Sequence, residues 1–387
     1  MKNILFITAA ALLVACSTSC KSKQVISDPD TSWTLGGFER PPGLNPIISP
    51  DSTSQFLDPM SSTMVRWEEN DTFNPGAIVR GDSIFVLYRA EDKFGIGIGF
   101  RTSRLGLAGS ADGLHFQRDS KPVLFPAEDS QKQYEWPGGL EDPRLSVTED
   151  GTYVVFYTQW NRDTPRLGVA TSKDLRTWTK HGPIFAKSSY TKLMQMSHKS
   201  ASIVTTVKNN QLVITKINGK YMMYWGEHGV KGATSTNLID WEPILDAQGE
   251  LAKFIEVRPG YFDSALTECG PPAVLTDQGI ILLYNGKNHN EAKYADHRFA
   301  RGTYSAGQVL FDKKDPTKVL KRLDTPFLRP MEAFEKSGQY TDGTVFIQGL
   351  AYFKSKWYLY YGCADSKVAV AVYDPQKKQS FDPMPNK

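Results

Sequence analysis

The stretch E-D-P-R-L-S-V-T-E-D-G-T-Y-V-V-F-Y-T-Q-W-N, residues 141–161, has a layout that recurs along the chain. A proline or small residue opens an apolar run, a turn rich in Gly, Asp or Asn follows, and a second apolar run ends in tyrosine and a polar cluster. Two such runs around a short turn are typical of a β-hairpin. The same layout returns at 74–92, 212–227, 269–288 and 347–365.

The repeat has two fixed points. The second apolar run of each copy ends at a tyrosine, and these are Tyr88, Tyr157, Tyr224, Tyr284 and Tyr361. Three copies are followed by Ala-x-Ser-x-Asp or Ala-x-Ser-x-Asn and then an aromatic residue, at 108–116, 170–178 and 233–241. A short Asx-type turn before an aromatic residue suits the outer hairpin of a propeller blade.

Five units of roughly 60–75 residues, each able to make about four strands, indicate an all-β chain that folds as a five-bladed β-propeller. No unit can bury both faces alone, so the units must stack around an axis. The fifth unit stops after the run 368–373, and we expect the region around 33–60 to supply its missing outer strand. Two stacked sandwiches are the alternative, but they explain the even tyrosine spacing less well.

The N-terminus has the pattern of a bacterial lipoprotein signal. Lys2 is followed by a short apolar run, and Leu13-Val14-Ala15-Cys16 places small residues before a cysteine that becomes lipidated. We therefore predict a signal peptide at 1–16 with lipidation at Cys16, a flexible tether at 17–33, and a single catalytic propeller domain at 34–387. The anchor implies an outer or inner membrane as partner and a position outside the cytoplasm, facing the periplasm.

The composition excludes several classes of function. The 387 residues have a formal net charge of +3 and no Lys/Arg cluster, so nucleic acid is not an expected partner. The six His residues lack zinc-ligand spacing, and we expect no metal and no cofactor. Cys269 and Cys363 could form a disulfide or remain as buried thiols. The sequence indicates no protein partner.

The propeller fold predicts where polar residues converge. Inner strands of successive blades surround one axis, so equivalent repeat positions should face a shared funnel. The polar residues that bracket the five apolar runs are Asn74, Arg89, Glu91, Asp92, Asp142, Arg144, His198, Lys199, Glu227, His228, Glu268, Asn285, Gln348 and Asp365. Crowded carboxylates with amide and basic groups suit a polyol, and paired carboxylates are what glycosidic bond cleavage requires.

An ordered series of motifs resembles glycoside hydrolase family 130. The series comprises F-N-P-G-A-I, L-Y-R-A-E-D, G-L-E-D-P-R, C-G-P-P-A-V and Y-Y-G-C-A-D, and it spans most of residues 40–375. The resemblance implies a five-bladed propeller that acts on β-mannosides, either as a phosphorylase or as a mannosidase specific for β-1,2 linkages. It also implies that Asp142, in the E-D-P-R motif, is the catalytic acid, and we expect Glu141 to be structural or to support Asp142 from outside the pocket.

This chain departs from the phosphorylase pattern of that family. Tyr284-Asn285-Gly286 stands where phosphorylases read Y-H-G, and Glu227 and Glu268 would repel a phosphate dianion. The departure favours an exo-acting, inverting hydrolase that releases mannose from an oligosaccharide. Glu227 or Glu268 would activate the attacking water. The residues expected to bind substrate are Asn74, Arg89, Asp92, Arg144, His198, Lys199, Asn285 and Asp365.

Two alternatives remain open from the sequence. A β-mannoside phosphorylase would require phosphate and release mannose 1-phosphate. A non-catalytic glycan-binding lipoprotein would use the propeller as a sugar-capture surface, although aromatic platforms rather than acids should then dominate its centre.

Overall fold

The computed structural model describes residues 31–93, 96–97 and 99–377, so the predicted lipidation site at Cys16 and most of the predicted tether lie outside the described residues. The chain divides into a unit up to Trp33 and a unit from Thr34 onward, and the fold below is that of the second unit. None of the helices in the described part has the length and apolarity needed to cross a bilayer.

The second unit is a five-bladed β-propeller, as the repeat predicts. A hairpin of β1 (Phe56–Asp58) and β2 (Thr63–Val65) precedes the first blade. The first blade contains β3 (Asp71–Arg80), β4 (Ser83–Glu91), β5 (Ser103–Ser110) and β6 (Gln117–Arg118). After the short helix α1 (Lys132–Glu135), the second blade contains β7 (Gly139–Val147), β8 (Tyr153–Trp160), β9 (Arg166–Ser172) and β10 (Thr179–Pro183).

The third and fourth blades are less regular. A 3-10 turn (Thr191–Gln195) leads to β11 (Ala201–Lys208), β12 (Gln211–Ile214), β13 (Lys216–Ile217), β14 (Lys220–Trp225), β15 (Val230–Ser235), β16 (Glu242–Pro243) and β17 (Lys253–Ile255). The fourth blade contains β18 (Leu266–Cys269), β19 (Ala273–Leu275), β20 (Ile280–Lys287), β21 (Tyr304–Phe311) and β22 (Val319–Arg322). Its inner strand is interrupted between β18 and β19, next to the axis.

The fifth blade closes the ring with help from the N-terminal region. A 3-10 turn (Ala333–Glu335) precedes β23 (Val345–Phe353), β24 (Lys356–Cys363) and β25 (Lys367–Tyr373). The outer edge of β25 forms antiparallel bridges with Glu39 and Ile48, which confirms the expectation that the N-terminal region completes this blade. Pairing the first and last parts of the propeller in one sheet leaves no open seam in the ring.

The five tyrosines that end the repeats are all buried, and four of them donate a hydrogen bond to a buried carboxylate. The pairs are Tyr88–Glu68 at 2.7 Å, Tyr157–Glu135 at 2.8 Å, Tyr284–Asp263 at 2.7 Å and Tyr361–Glu335 at 2.8 Å. Each acid precedes the inner strand of its blade and follows an aromatic residue, an aromatic–acid repeat that the sequence analysis missed. In the third blade Tyr224 donates instead to the carbonyl oxygen of Pro316 at 2.8 Å.

Two other sequence features are resolved by the fold. In the Ala-x-Ser-x-Asp/Asn repeats the Asp or Asn side chain accepts backbone N–H groups at the outer hairpin turn, as predicted; Asp174, for example, accepts from Arg176 at 2.8 Å. The serine hydroxyl also accepts, as Ser172 does from Leu175 at 2.9 Å. Cys269 and Cys363 are both buried and both free, so no disulfide joins them.

Candidate active site

A cavity of about 250 Å³ lies on the axis, at the end of the propeller where the inner strands begin. Its lining residues are Phe73, Asn74, Arg89, Glu91, Gly99, Glu141, Asp142, Trp160, Lys199, Glu227, Glu268, Tyr304, Gln339, Tyr340, Thr344, Phe346 and Asp365. Seven of the eleven predicted catalytic and substrate-binding residues are therefore brought together there, from all five blades. They are Asn74, Arg89, Asp142, Lys199, Glu227, Glu268 and Asp365.

The other end of the axis is closed. Beyond the cavity, Gln348 donates to the carbonyl oxygens of Asn74 at 2.7 Å and Pro143 at 2.8 Å. Farther along, the β11–β12 hairpin crosses the axis, where Val213 pairs with Val147 of β7 and the Gln211 amide donates to Val79. The cavity is consequently a pocket that opens on one face rather than a through-channel.

Backbone bulges aim two side chains into the pocket. Asn74 and Asp142 occupy equivalent places in β3 and β7, each at a break in strand register and each with positive φ, at 45° and 50°. Asn and Asp tolerate this left-handed conformation better than other non-glycine residues. Asp142 is therefore held by a bulge inside the strand.

Arg89 is the centre of an acidic cluster. Its guanidinium lies 2.6 Å from Glu91, 2.7 Å from Glu141 and 3.3 Å from Asp142. Asn74 adds a hydrogen bond to Asp142 Oδ1 at 2.9 Å. Glu141 thus lines the pocket beside Asp142, which differs from the expectation that it is structural or lies outside the pocket.

A second cluster faces the first one from blades three and four. Lys199 Nζ lies 3.0 Å from Glu227 Oε2, and the hydroxyl of Ser200 donates to Glu268. The side chains of Lys199 and Glu227 are each 26% exposed, whereas Glu268 is buried. Glu227 is therefore the more open of the two carboxylates predicted to act on water.

Burial sets the protonation of the pocket. It raises the pKa of Glu141, Glu268 and Asp365 to about 7 each. Burial also acts to raise the pKa of Asp142, but the charges of Arg89 and Lys199 outweigh it and hold that pKa below its usual value. When the Glu141–Asp142 pair binds one proton, Glu141 therefore carries it.

Aromatic residues form much of the remaining wall, and the sequence analysis did not single them out. Tyr304 makes edge contacts with Tyr340 and Phe346, both at 6.2 Å between ring centroids. Trp160 packs directly on the backbone of Gly138. A side chain at position 138 would not fit there, because its Cβ atom would lie 2.2 Å from the indole. Trp160 could have been found, because it belongs to the polar cluster that ends the second repeat.

Two of the predicted substrate-binding residues are structural residues of the axis. Arg144 donates to the carbonyl oxygens of Gly270 at 2.9 Å and Cys269 at 2.8 Å, and it is 2% exposed. Asn285 donates to Ile347 O at 3.1 Å and accepts from Ile347 N–H at 2.8 Å. The bonds of Arg144 join the second blade to the fourth, and those of Asn285 join the fourth blade to the fifth. Because these bonds use the donors of both side chains, the prediction of a sugar contact does not fit either residue.

Two further predictions are corrected for a similar reason. Asp92 accepts from Arg104 at 2.8 Å and from the N–H of Thr102 at 3.0 Å. His198 accepts from the N–H of Leu167 at 3.0 Å, its ring packs edge-on against Phe185, and burial lowers its pKa to about 3. Both side chains are buried away from the pocket, where they anchor strands instead of a ligand.

Comparison with known proteins agrees with this architecture. A model of glycoside hydrolase family 130, described as beta-1,4-mannooligosaccharide phosphorylase, matches residues 53–377. The chain belongs to glycoside hydrolase family 130. A 1,2-beta-oligomannan phosphorylase of Thermoanaerobacter sp. (strain X514) is 32% identical to it over 320 residues, which cover 80% of this chain and 91% of the relative.

Two solved structures are more similar still. A glycosyl hydrolase from Bacteroides ovatus is 59% identical, with a TM-score of 0.89, and the match covers 92% of this chain and 98% of that one. Another is 58% identical, with a TM-score of 0.89 and coverage of 92% and 99%. It is described by the statement that the family of mannoside phosphorylases contains glycoside hydrolases that target beta-1,2 mannosidic linkages in Candida mannan.

The pocket of this family 130 enzyme has the groups that acid–base chemistry at a sugar requires. Carboxyl groups with pKa values near 7 can give or take a proton at neutral pH. The side-chain amide group of Asn74 donates to Asp142 at the pocket, whereas its Oδ1 is buried against Gly362 and has no hydrogen-bond partner within the described part of the chain. The aromatic wall offers flat apolar surface for the carbon-bearing face of a sugar ring.

Proposed function

We propose that this enzyme is an exo-acting β-1,2-mannoside hydrolase that inverts the anomeric centre and releases mannose. The linkage is supported by two relatives, one named a 1,2-beta-oligomannan phosphorylase and the other described with hydrolases of beta-1,2 linkages. The choice of hydrolysis over phosphorolysis is supported by the charge of the pocket, and the exo action by its shape.

The charges that line the pocket carry the proposal of hydrolysis. Among the described lining residues there are six carboxylates, Glu91, Glu141, Asp142, Glu227, Glu268 and Asp365, and two cations, Arg89 and Lys199. Both cations already pair with carboxylates. A phosphate dianion would have to break those pairs and lie beside the ionised Asp142, and contact between like charges costs several kcal/mol in a buried site. Water meets no such barrier.

The shape of the pocket supports removal of single terminal residues. The pocket is closed at one end by Gln348 and the β11–β12 hairpin, so a glycan chain cannot pass through it. Its volume of about 250 Å³ is below the range of about 300–1,000 Å³ that is usual for drug-sized ligands. One terminal mannose fills such a pocket, and the rest of the chain leaves through the open face.

In the proposed mechanism Asp142 protonates the leaving oxygen, directly or through a sugar hydroxyl. A bound sugar excludes water from the pocket and increases the desolvation of Asp142, which raises the pKa of this carboxyl toward that of an acid catalyst. Glu141, which carries the proton of the pair before the sugar binds, transfers it to Asp142 as the pKa of Asp142 rises. On the other side, one of Glu227 and Glu268 activates the attacking water and the other positions it.

The remaining polar groups of the pocket hold the mannose. Arg89 and Lys199 donate, Asp365 accepts or donates according to its protonation, and Asn74 orients the carboxylate of Asp142. Tyr304 and Trp160 contribute ring faces. These residues contact hydroxyl and C–H groups that the reaction does not change, so they determine binding and orientation.

The test is incubation with β-1,2-mannobiose, with and without inorganic phosphate. Mannose as the only product, at a rate that phosphate does not change, supports the hydrolase. Formation of mannose 1-phosphate that depends on phosphate identifies a phosphorylase instead, and no turnover leaves the glycan-binding function. Proton NMR of the first product should show α-mannose, because inversion of a β-linkage gives the α-anomer.

Phosphorolysis is the second candidate, favoured by one observation: the family description and the Thermoanaerobacter relative both specify a phosphorylase. Against it stands the acidic pocket.

The lipid anchor at Cys16 and the periplasmic location remain predictions from the sequence. A Cys16→Ser variant that stays in the membrane fraction of the producing bacterium would contradict the anchor.

A further inference from the structure

We propose that the outer seam between the first and second blades holds a second, non-catalytic binding site for a neutral sugar residue. The ligand class, a mannose unit of the glycan, rests on the proposed function. The site is a cavity of about 310 Å³ that shares no lining residue with the pocket on the axis. Trp178, Lys180, Phe125, Asp129, Ser130 and Gln131 line it.

Trp178 distinguishes this seam from its counterparts in the other blades. It is the aromatic residue of the Ala-x-Ser-x-Asp repeat, equivalent to Phe116 and Trp241. Phe116 packs edge-on against Tyr360 at 5.7 Å, and Trp241 packs edge-on against Phe156 at 5.8 Å. Trp178 is half-buried, as Phe116 is, but it lines the cavity. The same position therefore packs on aromatic rings in two blades and forms a cavity wall in the third.

The indole of Trp178 is held rigidly. Its Nε1 donates to the carbonyl oxygen of Leu175 at 3.0 Å, and part of the side chain packs on the core that includes Leu124. Because the N–H group is already satisfied, the ring offers the cavity mainly an apolar face. An immobile indole face is the surface on which the C–H side of a pyranose ring packs at little cost in conformational entropy.

Polar groups of the same cavity suit the hydroxyl groups of that ring. The Asp129 carboxylate is 38% exposed, and the hydroxyl of Ser130 accepts from the Gln131 amide at 3.0 Å, which leaves its own proton to donate. Gln131 is itself buried and packs closely on Gly182. A Cβ atom at position 182 would lie 2.8 Å from the amide oxygen of Gln131. Acceptors and donors beside an aromatic face are the usual composition of a sugar site.

The charge of the cavity indicates that the ligand is neutral. Lys180 is 9% exposed and is surrounded by acceptors: it lies 2.6 Å from Glu135 and 3.1 Å from Asp129, and it donates to Phe125 O at 2.8 Å. Its ammonium group is therefore satisfied internally and offers little to an anion. A neutral polyol keeps these bonds intact.

A second site at the edge of the propeller would increase the affinity for long or surface-bound glycans but not for a disaccharide. A chain long enough to occupy both cavities gains from an intramolecular second contact, whereas mannobiose can occupy only one of them at a time. The site would thus hold a polymer near the catalytic pocket between cleavage events.

The experiment follows tryptophan side-chain N–H signals by NMR in the inactive Asp142→Asn enzyme during titration with β-1,2-mannotriose. Trp178 reports on the seam and Trp160 on the pocket, each assigned by the loss of its signal in a Trp→Phe variant. We expect both signals to shift and to saturate. An Asp129→Ala change should abolish the Trp178 shift and leave the Trp160 shift unchanged.

The outcomes separate the two proposals. A shift of Trp160 without Trp178 overturns the second site. A shift of Trp178 without one of Trp160 supports the second site and contradicts the proposed function, and no shift of either signal overturns both.

A second experiment uses the active enzyme. Trp178→Ala should leave turnover of β-1,2-mannobiose unchanged and reduce turnover of a long β-1,2-mannan several-fold. An equal loss on both substrates would mean a folding defect and contradict the proposal.

Discussion

The Asn74 side chain donates a hydrogen bond of 2.9 Å to Asp142 Oδ1 across the seam between the first two blades, and both residues adopt the left-handed backbone conformation. Two equivalent bulges therefore turn an amide and a carboxylate toward each other at the pocket. Two replacements of Asn74 distinguish the effect of its side-chain hydrogen bond from the effect of its backbone conformation. Asn74→Gly and Asn74→Ala should lower kcat/KM equally, since both remove the bond to Asp142.

The two variants should differ in stability. Alanine at φ 45° costs about 1–2 kcal/mol more than glycine, because its Cβ atom meets the following carbonyl. Urea denaturation of both variants measures that difference. Equal free energies of unfolding would show that the bulge relaxes when Asn74 is changed.

Removal of the proposed acid should abolish most activity and spare the fold. Asp142→Asn keeps the acceptor oxygen for Asn74 and tolerates the left-handed backbone. We expect kcat on β-1,2-mannobiose to fall by about 10²–10⁴. The loss should be much smaller on an aryl β-mannoside, whose leaving group needs no proton. Asp150→Asn, at the exposed turn of the same blade, is the control and should be fully active.

The base should be identified by rescue with azide. Truncating the water-activating carboxylate leaves room for a small anionic nucleophile, so sodium azide should restore turnover of an aryl β-mannoside to either Glu227→Ala or Glu268→Ala, but not to both. The product should be α-mannosyl azide, because attack comes from the face opposite the leaving group. A β-configured product, or no rescue in either variant, would remove this pair from the base role.

Glu268 should make the stability of the enzyme depend on pH. Burial raises its pKa from 4.5 in an unfolded chain to about 7 in the fold. The folded state then binds the proton more tightly, so this group favours folding below about pH 4.5 and opposes it increasingly as the pH rises toward 7. Glu268→Gln removes the ionisation. Relative to wild type, it should gain about 1–3 kcal/mol of unfolding free energy between about pH 5 and about pH 8.

Urea denaturation at the two pH values measures this gain. The exposed Glu149→Gln is the matched control, since the bond from Lys208 lowers the pKa of Glu149 and no gain with pH is expected there. A Glu268→Gln variant that loses stability as the pH rises, relative to wild type, would show that Lys199 dominates over burial.

The buried tyrosines allow a comparison between blades. Tyr284→Phe removes a donor from the charged Asp263, whose carboxylate also binds Arg258 and Arg322. We expect a loss of about 1.5–3 kcal/mol, as for hydrogen bonds to charged groups. Tyr224→Phe removes a bond to a neutral carbonyl and should cost about 0.5–1.5 kcal/mol. Thermal or chemical unfolding measures both losses of stability. A larger loss for Tyr224→Phe than for Tyr284→Phe would contradict this assignment.

Local patterns explain how much of the fold could be predicted. The hairpin repeat and its tyrosines follow from alternating runs and turn residues, and these act between neighbours in the chain. The Tyr–acid pairs were missed because Glu68 and Tyr88, or Asp263 and Tyr284, meet only after the blade has folded. The aromatic residue before each acid is the signal that could have revealed them.

The sequence by itself determined the number of blades, the family pattern and the acids that face the axis, because a repeat places equivalent residues at equivalent positions. Only the tertiary structure decided which of the polar residues near the axis remain available to bind a substrate. Arg144 and Asn285 have the right position in the repeat, but backbone carbonyls of other blades use their donors. Lys199 also pairs with another group, Glu227, but its side chain stays 26% exposed and lines the pocket. Availability depends on contacts between distant residues, and those exist only in the closed ring.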